Sequence, residues 1–107
     1  MEQLITFRPH AETDEPFLFA TYLKNNWYRQ ESSTMLPKKV WMWAQHKRLE
    51  KILKSQNITI ACLKEDPDVI LGYGFWDEKE PFVYIKMAWR SDKLDLKTKL
   101  SERIEKP

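Results

Sequence analysis

The chain has 107 residues, 42% hydrophobic and 13% aromatic, with 18 Lys and Arg against 16 Asp and Glu and a net charge of +2. That length bounds it to one domain able to bury a core, and the near-even charge balance excludes a broad cationic field for nucleic acid or for a membrane surface. No apolar run approaches the roughly 20 residues a helix needs to cross a bilayer, and the lone Cys62 permits no intrachain disulfide. The start Met1-Glu2-Gln3-Leu4 lacks the basic and apolar regions of a secretion signal, so a cytoplasmic location is expected.

In chain order, Leu4 to His10 alternates as a short strand that Pro9 ends. Thr13-Asp14-Glu15-Pro16 is a helix start, and the stripe Phe19, Leu23, Trp27, with Leu18 and Tyr22 beside it, carries a helix to about Trp27. Residues 28–36 are polar and unpatterned and read as a loop. Pro37 opens a second helix to about Ser55, with Met42, Gln45, His46, Leu49, Ile52 and Leu53 inward and Lys39, Lys47, Lys51 and Lys54 opposite. Val40, Trp41 and Trp43 widen its apolar surface at the start.

Ile58–Leu63, Val69–Trp76 and Phe82–Arg90 read as strands joined by the polar turns Lys64–Asp68 and Asp77–Pro81, an antiparallel meander. Gly72 and Gly74, two apart, share one face and leave a strip where another group can approach closely. Ser91 to Pro107 reads as a last helix with Leu96, Leu100 and Ile104 in line and Leu94 near its start. The fold class expected is α+β: strand, helix, helix, three-strand meander, helix.

Four stretches carry a family resemblance. Phe7-Arg8-Pro9 followed by Glu12-Thr13-Asp14 resembles the opening strand and first helix cap of the GNAT acyl-CoA N-acyltransferases. Ala44-Gln45-His46-Lys47-Arg48-Leu49 resembles the second helix of a bacteriophage-type subgroup of that family. Ala61 to Pro67 with Ile70-Leu71-Gly72-Tyr73 resembles the central hairpin, and Tyr84 to Arg90 the fourth strand and its arginine. The resemblance covers residues 5 to 90 and implies the N-terminal half of such a fold, a single truncated domain over residues 1–107.

In that family the fourth strand leads into a loop of pattern Arg/Gln-x-x-Gly-x-Gly/Ala that wraps the cofactor pyrophosphate. The resemblance places Arg90 at the first position, Lys93 where the first glycine stands, and Asp95 where the second stands. Glycine would let the backbone reach phosphate oxygens, whereas Asp92 and Asp95 set carboxylates against a diphosphate. The family's further strands, which form the other wall of the cofactor cleft, have no counterpart in these residues.

The function expected is therefore a small, non-catalytic, phage-encoded binding protein without a cofactor, active in the host cytoplasm. It would modulate a host or viral macromolecule through a protein–protein contact at the apolar edge Phe82–Arg90, which a second copy could also pair with to give a homodimer. The partner-binding candidates are Trp76, Phe82, Tyr84, Lys86 and Trp89, with Trp41 and Trp43 further aromatic anchors.

One alternative is an acetyl-CoA-dependent N-acetyltransferase completed by dimerisation. Ile85, Met87, Arg90 and Lys93 would then hold the cofactor, and Tyr84 or His46 would serve as catalytic acid or base. The other is nucleic-acid binding by the basic second helix, which the small net charge argues against.

Overall fold

The computed structural model describes residues 4–30, 35–90 and 95–106. It is α+β, in the expected order: β1 (Ile5–Pro9), α1 (Glu15–Gln30), α2 (Lys38–Ser55), β2 (Thr59–Leu63), β3 (Ile70–Asp77), β4 (Glu80–Ile85) and α3 (Leu96–Glu102). The chain groups into two compact units, one of Met1–His10 with Gln56–Pro107 and one of Ala11–Ser55.

The first unit is a four-stranded antiparallel sheet of order β1-β2-β3-β4. Ala61 pairs with Gly72 but Cys62 with Ile70, so Leu71 is an extra residue in β3. This bulge brings Leu71 into one buried cluster with Ala61 of β2 and Ile85 of β4, against which Leu96 and Leu100 of α3 pack. A helix of seven residues holds its shape only through such docking.

Both glycines of β3 serve that face. A Cβ at Gly72 would lie 2.4 Å from the Tyr84 carbonyl oxygen, and one at Gly74 2.7 Å from Cδ1 of Ile104. The opposite face carries an aromatic row. Tyr73 pairs with Tyr84 and Phe75 with Phe82 across the β3–β4 ladder, their rings stacked at centroid distances of 5.3 and 5.1 Å.

Side chains lengthen the ladders at two ends. The Gln56 amide donates to the Trp76 carbonyl at 2.6 Å and accepts from the Trp76 N–H at 3.1 Å. His10 Nδ1 accepts from the Ile58 N–H at 3.2 Å while the His10 N–H donates to the Ile58 carbonyl at 2.8 Å. The β3–β4 hairpin turns on Glu78, at φ 59°, with the Lys79 N–H on the Asp77 carbonyl at 2.8 Å.

Four boundaries differ from the expectation. The turn expected at Asp77–Pro81 is only Glu78 and Lys79, and β4 already includes Pro81, which an edge strand tolerates where its missing N–H faces outward. The strand expected to run to Arg90 stops at Ile85, and Met87–Trp89 forms a 3₁₀ turn. The Lys86 N–H still reaches the Leu71 carbonyl at 2.8 Å, but β3 begins at Ile70, so the ladder has run out of partner. The last helix described begins at Leu96, with Asp95 as its N-cap, and ends at Glu102, so Ile104 lies beyond its C-cap Arg103. Of its expected first turn, residues 91–94 lie outside the described residues.

In the second unit, a 3₁₀ turn at Glu12–Asp14 leads into α1, and the buried Asp14 carboxylate accepts from the Ala11 N–H at 2.7 Å. The first helix continues past Trp27 to Gln30, because Tyr28-Arg29-Gln30 contains neither Gly nor Pro to stop it. Leu18 and Tyr22 of α1 and Trp41, Leu49 and Ile52 of α2 are buried, and Trp27 meets Trp41 edge-on at 5.2 Å.

Candidate functional site

Of the residues expected to hold a cofactor, Ile85 is buried in the α3 cluster and Met87 is exposed in the 3₁₀ turn. Lys93 lies outside the described residues. The Arg90 Nε donates to the carbonyl of Ile85, the last residue of β4, at 2.7 Å. Asp95, at the second glycine position, adopts φ 46°, a left-handed conformation that Asp tolerates better than most residues.

The expected edge is β4, the last strand in the sheet order. Since Lys86 bonds inward to Leu71, antiparallel alternation turns Tyr84, Phe82 and Glu80 toward β3 and leaves Pro81, Val83 and Ile85 facing outward. Pro81 has no N–H to offer, and the Ile85 carbonyl is taken by Arg90. Among the described residues Val83 alone keeps both outward backbone groups open.

The expected partner residues differ in access. Phe82 is buried in the aromatic row, and Tyr84 is half-buried on Tyr73. Trp76 is half-buried, donates its indole N–H to the Glu78 carbonyl at 2.9 Å, and lies under the Lys106 ammonium. Lys86 and Trp89 are half-buried, Trp89 against the α3 cluster.

His46, in the helical unit, has a partner that went unread in the sequence. Its Nδ1 lies 3.2 Å from Glu50 Oε1, four residues on along α2, and its ring stacks on Phe19 at 4.3 Å. The signal was the i, i+4 spacing of a histidine and a carboxylate on one helix. The pair borders a cleft of about 260 Å³ lined by Glu15, Phe19, His46, Glu50, Leu53 and Lys54. This lining holds no hydroxyl or thiol for the imidazole to activate. Among the described residues no group of three or more His, Cys, Asp or Glu converges as a metal site, and no helix is long and apolar enough to cross a membrane.

Among the described residues, four of the six exposed large apolar side chains lie between residues 35 and 43. Trp43 is 64% exposed, Val40 48% and Leu36 50%, and Met35 beside them is bare. Trp41, two residues before Trp43, is buried against Trp27. No family model, no curated protein and no solved structure matches the chain.

Proposed function

We propose that the chain is a non-catalytic protein-binding domain, with the element order of the first half of an acyltransferase, that modulates a macromolecular partner through an exposed aromatic and apolar surface. The observation that carries this reading is Trp43, nearly two-thirds exposed beside Val40 and Leu36, where burial of a large aromatic would contribute most to a contact. The start of α2 is favoured over the β4 edge, where Pro81 has no N–H to offer and Arg90 takes the Ile85 carbonyl. Arg90 supports the non-catalytic part, since its Nε is already bonded to the Ile85 carbonyl.

A photo-crosslinking residue placed at position 43 tests the reading, with one at Glu65 in the β2–β3 turn as control. Discrete protein adducts from position 43 and none from position 65 are expected, together with no acetyl-CoA binding by calorimetry at micromolar concentration. Micromolar acetyl-CoA binding, or acetyl transfer to an amine by the native protein, would overturn it in favour of the acyltransferase.

A further inference from the structure

Val40, Trp43, Lys47, Lys51 and Lys54 recur at spacings of three and four, so they form one line along α2, and Leu36 precedes the helix by two residues. Trp41, Leu49 and Ile52 lie on the other side of the helix and are buried, whereas every residue of this line is exposed. The line is divided along its length. Its first half is apolar and its second half is three lysines.

The charge is concentrated here as well. α2 carries Lys38, Lys39, Lys47, Arg48, Lys51 and Lys54 against the single carboxylate of Glu50, in a chain whose net charge is only +2. Lys47 approaches Glu50 at 3.6 Å, and Lys51 and Lys54 have no ionic partner among the described residues. Lys38 and Lys39 stand in the first turn, which holds no acidic residue, so they oppose the helix dipole. Lys38 is offset by the Trp27 ring, 5.4 Å from its ammonium, whereas Lys39 has no ionic partner among the described residues.

From this division we infer the class of partner, an inference that rests on the protein-binding reading above. The exposed line of α2 docks a polypeptide segment that carries an apolar cluster and, about 16 Å further along, a cluster of Asp and Glu. That spacing is the rise from Val40 to Lys51 at about 1.5 Å per residue. The acidic cluster meets Lys47, Lys51 and Lys54, and the apolar cluster covers Leu36, Val40 and Trp43.

Other occupants fit the surface less well. A second copy would set lysine against lysine in a parallel pairing and lysine against Leu36 and Val40 in an antiparallel one. A nucleic acid would satisfy the lysines and stack on Trp43 but leave Met35, Leu36 and Val40 in water, since bases stack on aromatic faces. A helix lying in an anionic bilayer keeps its apolar line along its whole length, whereas this line turns to lysine after Trp43.

Fluorescence anisotropy of a labelled 20-residue helical peptide tests the inference. The peptide has Leu and Phe on one face of its first half and Glu on the same face of its second. The controls are the same peptide with Lys for Glu, a 20-nucleotide oligo-dT and vesicles containing phosphatidylserine. The native protein is expected to bind the acidic peptide at least tenfold more tightly than the lysine version, with affinity falling as salt rises.

Trp43→Ser and the double variant Lys51→Glu, Lys54→Glu are each expected to weaken binding at least tenfold, with unchanged circular dichroism. Equal binding of the acidic and lysine peptides, unaltered binding by both variants, or tighter binding of oligo-dT or vesicles would overturn the inference. If position 43 still crosslinks to a protein while the acidic peptide is not preferred, the partner chemistry is wrong and the protein-binding reading stands. If neither occurs, both fall.

Discussion

Gly72 and Gly74 sit on the same face of β3, yet replacing them with alanine should have unequal costs. At Gly74 the new methyl would lie 2.7 Å from Cδ1 and 3.2 Å from Cγ1 of Ile104, the tip of a side chain that can turn. Overpacking of this kind costs about 1–3 kcal/mol, and alanine recovers about 0.5–1 kcal/mol over glycine inside a strand, so Gly74→Ala should lose about 1–2 kcal/mol. At Gly72 the methyl would lie 2.4 Å from the Tyr84 carbonyl oxygen and 3.3 Å from the Ile85 Cα, both backbone atoms of β4. Only a shift of the strand relieves that, so Gly72→Ala should lose about 3 kcal/mol. Ile104→Val removes the Cδ1 methyl and alone costs about 0.5–1.5 kcal/mol. Combined with Gly74→Ala it should cost about 1 kcal/mol less than the sum, because the atom in the way is gone. Urea denaturation followed by circular dichroism measures all four variants. Equal losses at the two glycines, or strict additivity of Gly74→Ala with Ile104→Val, would refute the seating of Ile104 over Gly74.

Two further outcomes follow from the hairpin and its clamp. Glu78 holds φ 59°, so Glu78→Gly should stabilise the protein by about 0.5–1 kcal/mol, the strain relieved less the added chain entropy, and thermal unfolding should show a rise of a few degrees. A fall would mean that the turn is not strained. Gln56→Ala strips both hydrogen bonds from the Trp76 backbone and should cost about 1–3 kcal/mol in urea. Gln56→Glu, which keeps an acceptor for the Trp76 N–H but sets a carboxylate against the Trp76 carbonyl, should not restore the loss, and full recovery would show that only the acceptor matters.

The order of elements was legible because each one carries its own periodicity, and the pairing of Gly72 and Gly74 on one face followed from a period of two. The end of β4 was not legible. Phe82 to Arg90 is apolar and β-prone throughout, and only the place where β3 begins, 15 residues before Ile85, sets where the ladder stops. Pro81 read as turn because it cannot donate, and that deficiency has no cost once the N–H would face outward. Ile104 continues the spacing of Leu96 and Leu100 but lies past the cap, a result of Arg103 closing the helix with its N–H on Leu100 at 3.0 Å. At the candidate surface the lysine line could be read directly. Val40-Trp41-Met42-Trp43 is apolar on every side and could not show which tryptophan faces the core. Trp41 and Trp43 lie about 200° apart on a helix, so one faces inward and the other does not.

Four cations of the sheet unit are engaged by the chain itself. In the sheet unit Arg8 donates to the Pro67 carbonyl at 3.0 Å and Arg90 to the Ile85 carbonyl at 2.7 Å. Arg103 lies 3.8 Å from the Phe7 ring centroid and Lys106 5.9 Å from that of Trp76. Each of these four holds a strand, a loop or the segment after α3 in place, so the junction of β4 with α3, which looks in sequence like an anion site, has its arginine committed to the fold. In the helical unit Lys38 lies over Trp27, but Lys39, Lys51 and Lys54 extend from α2 without an ionic partner among the described residues. A cation committed to its own chain rigidifies it and adds little to recognition, whereas cations left in solvent beside an exposed tryptophan lose little on meeting a complementary charge. That contrast supports α2 as the proposed recognition surface. Removing Arg90 should therefore alter stability, and removing Lys51 and Lys54 should alter binding alone.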